Sequence, residues 1–432
     1  MFDFLITHSP LLYFTQSLWR DEAFSILLAK QLNLSMLPNL GFEPPFYYLL
    51  LNIWLQIFGT SEIAARSLSL LGFLLATLLV GLWAEKHFRK NVLLWFLPVS
   101  FFLNPLLLYY GFEVRTYGWY TFFTVASILS YLEKKWLWYT VATILGFYTH
   151  AYFLLVPFAQ TVHWFFTTRP KKNMLRSDGF FRAAVASGLF MIPWLIQIGF
   201  SVSQLRQSWY FPVDWQLVRS VLGNLFLGYE GTPWYLWRYT ALLSIIILGS
   251  FILALLPAAE RKRNLFFVFL AIVPLLIILG ISTVKPLFVN RYLLPVTVAE
   301  VFLLAFAINA LKNSLVQHFV AIGSVLCLVA FNLWFPSQHA KLDIRPPVSE
   351  VNTLLTPTDL IYVDSPLIYF ETVYYAKDPS RVYLFNPDNH PFPWYVGGVI
   401  FPTTAMTANV PQYPRRAFTI HEDGSYDIMF TR

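Results

Sequence analysis

The sequence predicts a mainly α, polytopic membrane protein of about 11 transmembrane helices, followed by a small α/β domain at the C-terminal end. Three observations predict it. Of the 432 residues, 57% are hydrophobic and only 12% are charged, where soluble domains carry about 25% charged residues. Every second loop between the apolar stretches is basic. Past Pro336 the composition turns polar, and strand-like and helix-like runs alternate.

Taken in order, residues 4–19 are apolar but short for a span, which needs about 20 residues, and they include His8 and Pro10. No basic leader or cleavage site marks a signal peptide. We read a short or partly missing first helix with its N-terminus inside. A polar helix from Asp21 to about Leu32 follows, then Glu43-Pro44-Pro45-Phe46. Pro-Pro suits the first turn of a helix, so residues 46–58 read as an apolar helix at the interface. Further spans are expected at 63–84, 92–109, 116–132, 136–149, 151–167, 183–200, 239–257, 265–283, 292–311 and 315–335.

The loops set the topology. Lys86, Arg89 and Lys90 share one loop, and Lys134 with Lys135 another. Arg169, Lys171, Lys172, Arg176 and Arg182 crowd a third, Arg261 to Arg263 a fourth, and Lys312 marks a fifth. Basic loops face the cytoplasm. Loops 20–62, 110–115, 149–150, 201–238 and 284–291 therefore face outward. Loop 201–238 holds Trp209, Tyr210, Trp215, Tyr229, Trp234, Tyr235 and Trp237; so long and aromatic a loop is expected to form short helices over the outer face. Residues 1–335 read as the transmembrane domain and 336–432 as an extracytoplasmic accessory domain. In the latter, strands are expected at 360–363, 382–385 and 399–401, and helices at 347–355 and 366–376.

The composition excludes several function classes. The single cysteine, Cys327, rules out a disulfide within the chain. There is no His-Glu-x-x-His motif, and no Gly-rich phosphate loop follows a strand, which disfavours a soluble nucleotide donor. The net charge of +7 suits anionic lipids; no interleaved basic and aromatic patch points to nucleic acid.

What remains is a set of ionisable groups at the outer ends of apolar stretches, where charge is costly and marks function. Asp21-Glu22 follows the first stretch. It reads either as a helix start, where carboxylates meet the positive dipole end, or as a general base at the membrane edge. Adjacent residues on a helix face different ways, so the two acids need not share a task. Glu43 is a solvated loop acid or shapes an acceptor site. Glu113 and Arg115 sit in a very short loop, as a surface ion pair or as a hydroxyl or cation ligand beside a phosphate clamp. His150 is an interface residue or a hydrogen-bond partner for a phosphate or carboxylate. Arg291 either snorkels to the headgroups or clamps a lipid phosphate where charge develops. Lys285 is a second candidate for that role.

These residues, in this order, resemble the polytopic GT-C glycosyltransferases, closest to the dolichyl-phosphate-mannose protein mannosyltransferase and aminoarabinose transferase superfamily. The resemblance covers roughly residues 15–300. It rests on Leu18-Trp19-Arg20-Asp21-Glu22-Ala23-Phe24-Ser25, on Pro44-Pro45-Phe46-Tyr47-Tyr48, and on Phe58-Gly59-Thr60-Ser61-Glu62 running into Ala65-Arg66-Ser67. Tyr109-Tyr110 through Glu113-Val114-Arg115-Thr116-Tyr117, Tyr148-Thr149-His150 and Arg291-Tyr292-Leu293-Leu294-Pro295 support it. One departure is Glu43, where many relatives carry His or Asp before Pro-Pro.

The resemblance implies inverting sugar transfer from a polyprenyl-phosphate donor on the extracytoplasmic side of the cell membrane. The acceptor is a protein, a lipid or a glycan. The catalytic group is Asp21 as base, with Glu22, and Glu113, which in such enzymes helps build the acceptor or cation site. Arg115, His150, Lys285 and Arg291 would bind the donor phosphate, and Glu43 and Tyr117 would support the acceptor or the loop. No metal ligand set is assigned, and use of a divalent cation is left open. A polytopic transporter or lipid flippase is the alternative, disfavoured because no repeat is visible and the charges sit at one edge rather than the midplane.

Overall fold

The computed structural model describes residues 2–169, 177–202, 213–228 and 234–432. The protein is mainly helical, with a small sheet domain at its C-terminal end. Among the described residues, six helices are long and apolar enough to cross a membrane: Glu62–Phe88, Gly179–Ser201, Trp237–Ala254, Arg261–Ser282, Asn290–Asn309 and Ser314–Gln338.

The other expected spans take different forms. Residues 92–109 are not one straight helix. Leu93–Phe102 and Pro105–Phe112 meet at 51°, because Asn104 caps the second piece through Leu107 N–H and Pro105 opens its first turn. The helix then runs on to Phe112, so the loop before Tyr117–Leu132 begins only at Glu113. Tyr117–Leu132, Trp136–Thr149 and Leu155–Thr168 have 16, 14 and 14 residues, short of a straight perpendicular crossing. The first stretch is two short helices, Phe2–Thr7 and Leu11–Thr15, parted at Pro10. Helices Arg20–Gln31 and Phe46–Phe58 lie where the sequence placed them. In the aromatic loop, Trp215–Leu227 forms a helix packed on Trp237–Ala254; Trp209, Tyr210 and Tyr229 lie outside the described residues.

Close helix packing sets the position of the loop that carries Arg115. A Cβ on Gly118 would stand 2.0 Å from the Ser69 carbonyl oxygen. Helices Glu62–Phe88 and Tyr117–Leu132 therefore cross almost backbone to backbone, as small residues allow in membranes. Above this crossing, the Ser69 hydroxyl donates to the Arg115 carbonyl at 3.1 Å and lies 2.8 Å from the Tyr47 hydroxyl.

The C-terminal sheet has the order β3-β2-β1-β4-β5. Its strands are β1 (Leu360–Val363), β2 (Val382–Phe385), β3 (Met406–Thr407), β4 (Ala417–Ile420) and β5 (Tyr426–Met429). β1 runs parallel to β2 and β4, and β5 is antiparallel to β4. Helices Arg345–Leu354 and Tyr369–Tyr375 flank β1 in sequence, as expected. The expected strand at 399–401 does not form; those residues are turn and coil. Val399 and Phe401 are apolar because they line a cavity, not because they pair in the sheet.

The sheet domain docks on helix Arg20–Gln31 and the chain just before it. Helix Tyr369–Tyr375 packs against Arg20–Gln31, with Phe370 edge-on to Phe24 at 5.7 Å. The Tyr375 hydroxyl accepts from Leu18 N–H at 2.8 Å and donates to Glu62. Arg345 reaches Glu62 at 3.1 Å and the Thr15 carbonyl at 3.2 Å.

Candidate active site

Helix Arg20–Gln31 presents its two adjacent acids in different directions. Glu22 is fully buried. It accepts from Trp19 N–H at 3.3 Å, which satisfies one donor of the helix start. Its oxygens also take Arg66 in a two-point pair, Nε to Oε1 at 2.9 Å and Nη2 to Oε2 at 2.7 Å, with Val114 N–H at 3.1 Å. Arg66 donates further to the carbonyls of Phe14, Gln16 and Ser17. A buried ion pair holds only when its remaining donors and acceptors are satisfied, and here they are.

Asp21 faces the other way, into a cavity of about 1270 Å³. Arg20 Nε lies 2.9 Å from its Oδ1, and Arg291 Nη2 lies 3.6 Å from its Oδ2. Burial works to raise the Asp21 pKa, but Arg20, Arg115 and Arg291 overcome it and hold the carboxyl well below the usual range. It is an ionised carboxylate ringed by guanidinium groups.

Arg20, Glu43, Arg115, His150 and Arg291 line the same cavity. Arg115 donates to Glu43 Oε1 at 3.0 Å and to the Tyr48 hydroxyl at 3.2 Å. Arg291 is brought in by the turn Asn290–Leu293 that opens helix Leu294–Asn309, and it lies over the rings of Trp19 and Tyr292. His150 stacks on Tyr120 at 4.5 Å, and its Nδ1 accepts from Tyr152 N–H at 3.2 Å. Burial, then Arg115 and Arg291, bring its pKa down to about 3. The imidazole is therefore neutral, with its proton on Nε2, and acts as a hydrogen-bond donor rather than a cation.

Four residues assigned from the sequence lie outside the cavity lining: Glu22, Glu113, Tyr117 and Lys285. Glu113 is buried beneath it and takes Lys341 Nζ at 3.1 Å. Tyr117 packs edge-on to Tyr110 at 4.9 Å and tilted against His150 at 5.8 Å. Lys285 is half-buried in the turn that follows helix Arg261–Ser282. Two residues carried no assigned role in the sequence reading. Arg66 could have been found as a cation just inside the start of an expected span, 63–84. Lys341, from the segment after the last long helix, carries no local signal.

The remaining walls differ in character. Leu195, Ile198 and Phe200 come from helix Gly179–Ser201, and Ile277, Ile278 and Ile281 from helix Arg261–Ser282. The C-terminal domain adds an uncharged, aromatic wall that includes Phe392, Trp394 and Tyr395. Among the described residues there is no group of three or more His, Cys, Asp or Glu side chains able to hold a metal ion.

A polytopic helical domain with an acid at the start of helix Arg20–Gln31 is capped by a small sheet domain. Solved structures bear this out for the architecture. ArnT from Cupriavidus metallidurans in the apo state superposes with a TM-score of 0.65 at 12% identity, over 97% of this chain and 90% of that one. ArnT from the same organism bound to undecaprenyl phosphate gives 0.65 at 11% identity over the same shares. Likeness at this identity establishes the fold. No protein-family model and no curated protein sequence matches the chain.

Proposed function

We propose that the chain is an integral-membrane glycosyltransferase of the cell membrane. It transfers a sugar from a polyprenyl-phosphate donor to an acceptor on the extracytoplasmic side, with inversion. The observation that carries this reading is Asp21, a carboxylate 3.6 Å from Arg291 in a cavity with membrane-length apolar walls. The undecaprenyl phosphate bound by ArnT supports a polyprenyl donor, and the alternation of basic loops supports the sidedness.

In this reading the prenyl chain lies along helices Gly179–Ser201 and Arg261–Ser282. The phosphate takes Arg291 and Arg115, with His150 donating from Nε2. An anion placed there competes with Asp21 for its guanidinium partners, so donor binding raises the basicity of Asp21. Asp21 then takes the proton of an acceptor hydroxyl or amine. The acceptor atom attacks the anomeric carbon from the face opposite the phosphate. The carbon–oxygen bond to phosphate breaks, its electron pair leaves with polyprenyl phosphate, and the arginines balance the charge that develops. Glu22 and Glu113 act from behind, by fixing the helix that carries the base.

The test uses the purified chain in lipid nanodiscs with undecaprenyl-phosphate-linked sugars, with release of undecaprenyl phosphate as the readout. Asp21→Asn should cost roughly 10²–10⁴ in rate; near-normal release would remove the assigned base. Movement of the lipid-linked sugar across a liposome bilayer with no released undecaprenyl phosphate would replace this reading with the transporter.

A further inference from the structure

One wall of the cavity comes from the C-terminal domain. Segment 391–403 of the C-terminal domain contributes Phe392, Trp394, Tyr395 and Phe401 to the lining, and none of its lining residues is charged. Phe42 of the first outer loop sits 6.1 Å from Trp394. Trp394 and Tyr395 are half-buried, so ring surface remains open.

This wall is keyed to the helix that carries Asp21. Gly397 has φ +114°, a conformation that favours glycine. A Cβ there would stand 2.5 Å from Phe24 and 2.7 Å from Phe370. Phe24 lies one helical turn beyond Asp21. The segment is thus fixed within a turn of the proposed base, where an acceptor has to sit.

Resting on the reading above, we propose that segment 391–403 forms the acceptor subsite and that the acceptor presents an uncharged saccharide ring to it. The negative π face of an aromatic ring attracts the weakly positive C–H face of a pyranose. An anionic acceptor would need a basic partner on this wall, and the basic lining residues Arg20, Arg115 and Arg291 all cluster around Asp21 instead. An acyl chain would be met by membrane-length helices, whereas this wall belongs to the sheet domain.

The experiment measures binding to the full chain in nanodiscs by saturation-transfer NMR. The probes are methyl glycosides of neutral hexoses, their 6-phosphates and, separately, undecaprenyl phosphate. At least one neutral glycoside should bind better than its 6-phosphate. Trp394→Ala or Tyr395→Ala should weaken it about tenfold, and Trp394→Phe should keep it, with undecaprenyl phosphate binding unchanged throughout. If Trp394→Ala fails to fold, as loss of undecaprenyl phosphate binding would reveal, Tyr395→Ala and Trp394→Phe carry the comparison. The subsite is overturned if no neutral glycoside binds while undecaprenyl phosphate does, if the phosphorylated glycosides bind better, or if the folded variants bind saccharide as the parent does. Failure of the parent chain to bind undecaprenyl phosphate strikes the donor assignment instead.

Discussion

Lys341 Nζ lies 3.1 Å from Glu113 Oε1, joining the segment after the last long helix to the short loop that precedes helix Tyr117–Leu132. The same ammonium is 3.5 Å from Glu22 Oε2 and lies over the Trp19 ring at 4.8 Å. One lysine thus balances two buried glutamates directly behind the helix that carries Asp21. Burial, followed by the charge of Glu22, holds the Glu113 carboxyl above its usual range despite Lys341.

Removing this ammonium leaves Glu113 without its cation, next to a Glu22 that Arg66 still pairs. Lys341→Met should lower the apparent Tm of the purified protein. Adding Glu113→Gln to it should cost much less than the two single changes summed. Coupling between such neighbours is about 0.5–3 kcal/mol, and a thermal double-mutant cycle in detergent measures it. Strict additivity would mean that the two side chains act independently.

Arg66 is the costlier loss. It is fully buried and holds Glu22 at two points, so Arg66→Met leaves a carboxylate without its main partner. We expect about 3–5 kcal/mol of destabilisation, seen as poor yield or a sharply lowered Tm. Glu22→Gln/Arg66→Met should recover part of it. Arg20→Met, at the partly open pair with Asp21, should change stability far less.

The sequence made half of this site legible, for a physical reason. Asp21, Arg115 and Arg291 interrupt apolar runs, and charge at a hydrocarbon edge stands out in a single chain. Lys341 sits in an ordinary polar stretch and gains its meaning from Glu113, 228 positions away, which no local pattern carries. The bend before Pro105 was written in the Asn104-Pro105 pair, but the continuous apolarity of residues 92–109 masked it. Val399-Ile400-Phe401 misled in the opposite sense, since a cavity wall and a strand both call for apolar residues.

Glu371 offers a pH test outside the spans. Burial pushes its carboxyl up to about 8, with Arg20 and Lys341 opposing. The folded chain therefore holds a proton that the unfolded chain releases near the ordinary value of 4.5. The stability it contributes is fully present below that value and is lost as pH rises through about 8. Glu371→Gln should flatten the fall in apparent Tm across this window. An unchanged profile would show that Glu371 is not the titrating group.

The backbone contact at Gly118 gives the last expectation. A methyl there would stand 2.0 Å from the Ser69 carbonyl oxygen, a backbone atom that cannot rotate away. Helices Glu62–Phe88 and Tyr117–Leu132 would have to part. That separation would strain the bonds from Ser69 to Arg115 and Tyr47, and so shift the Arg115 guanidinium within the cavity. Gly118→Ala should therefore cost about 1–3 kcal/mol and also weaken binding of undecaprenyl phosphate. Gly188→Ala is the matched control. Its Cβ would meet nothing within 4 Å, and alanine is the better helix former by about 1 kcal/mol. A raised or unchanged Tm for Gly188→Ala beside a lowered one for Gly118→Ala would show that close helix approach, rather than glycine flexibility, positions the arginine.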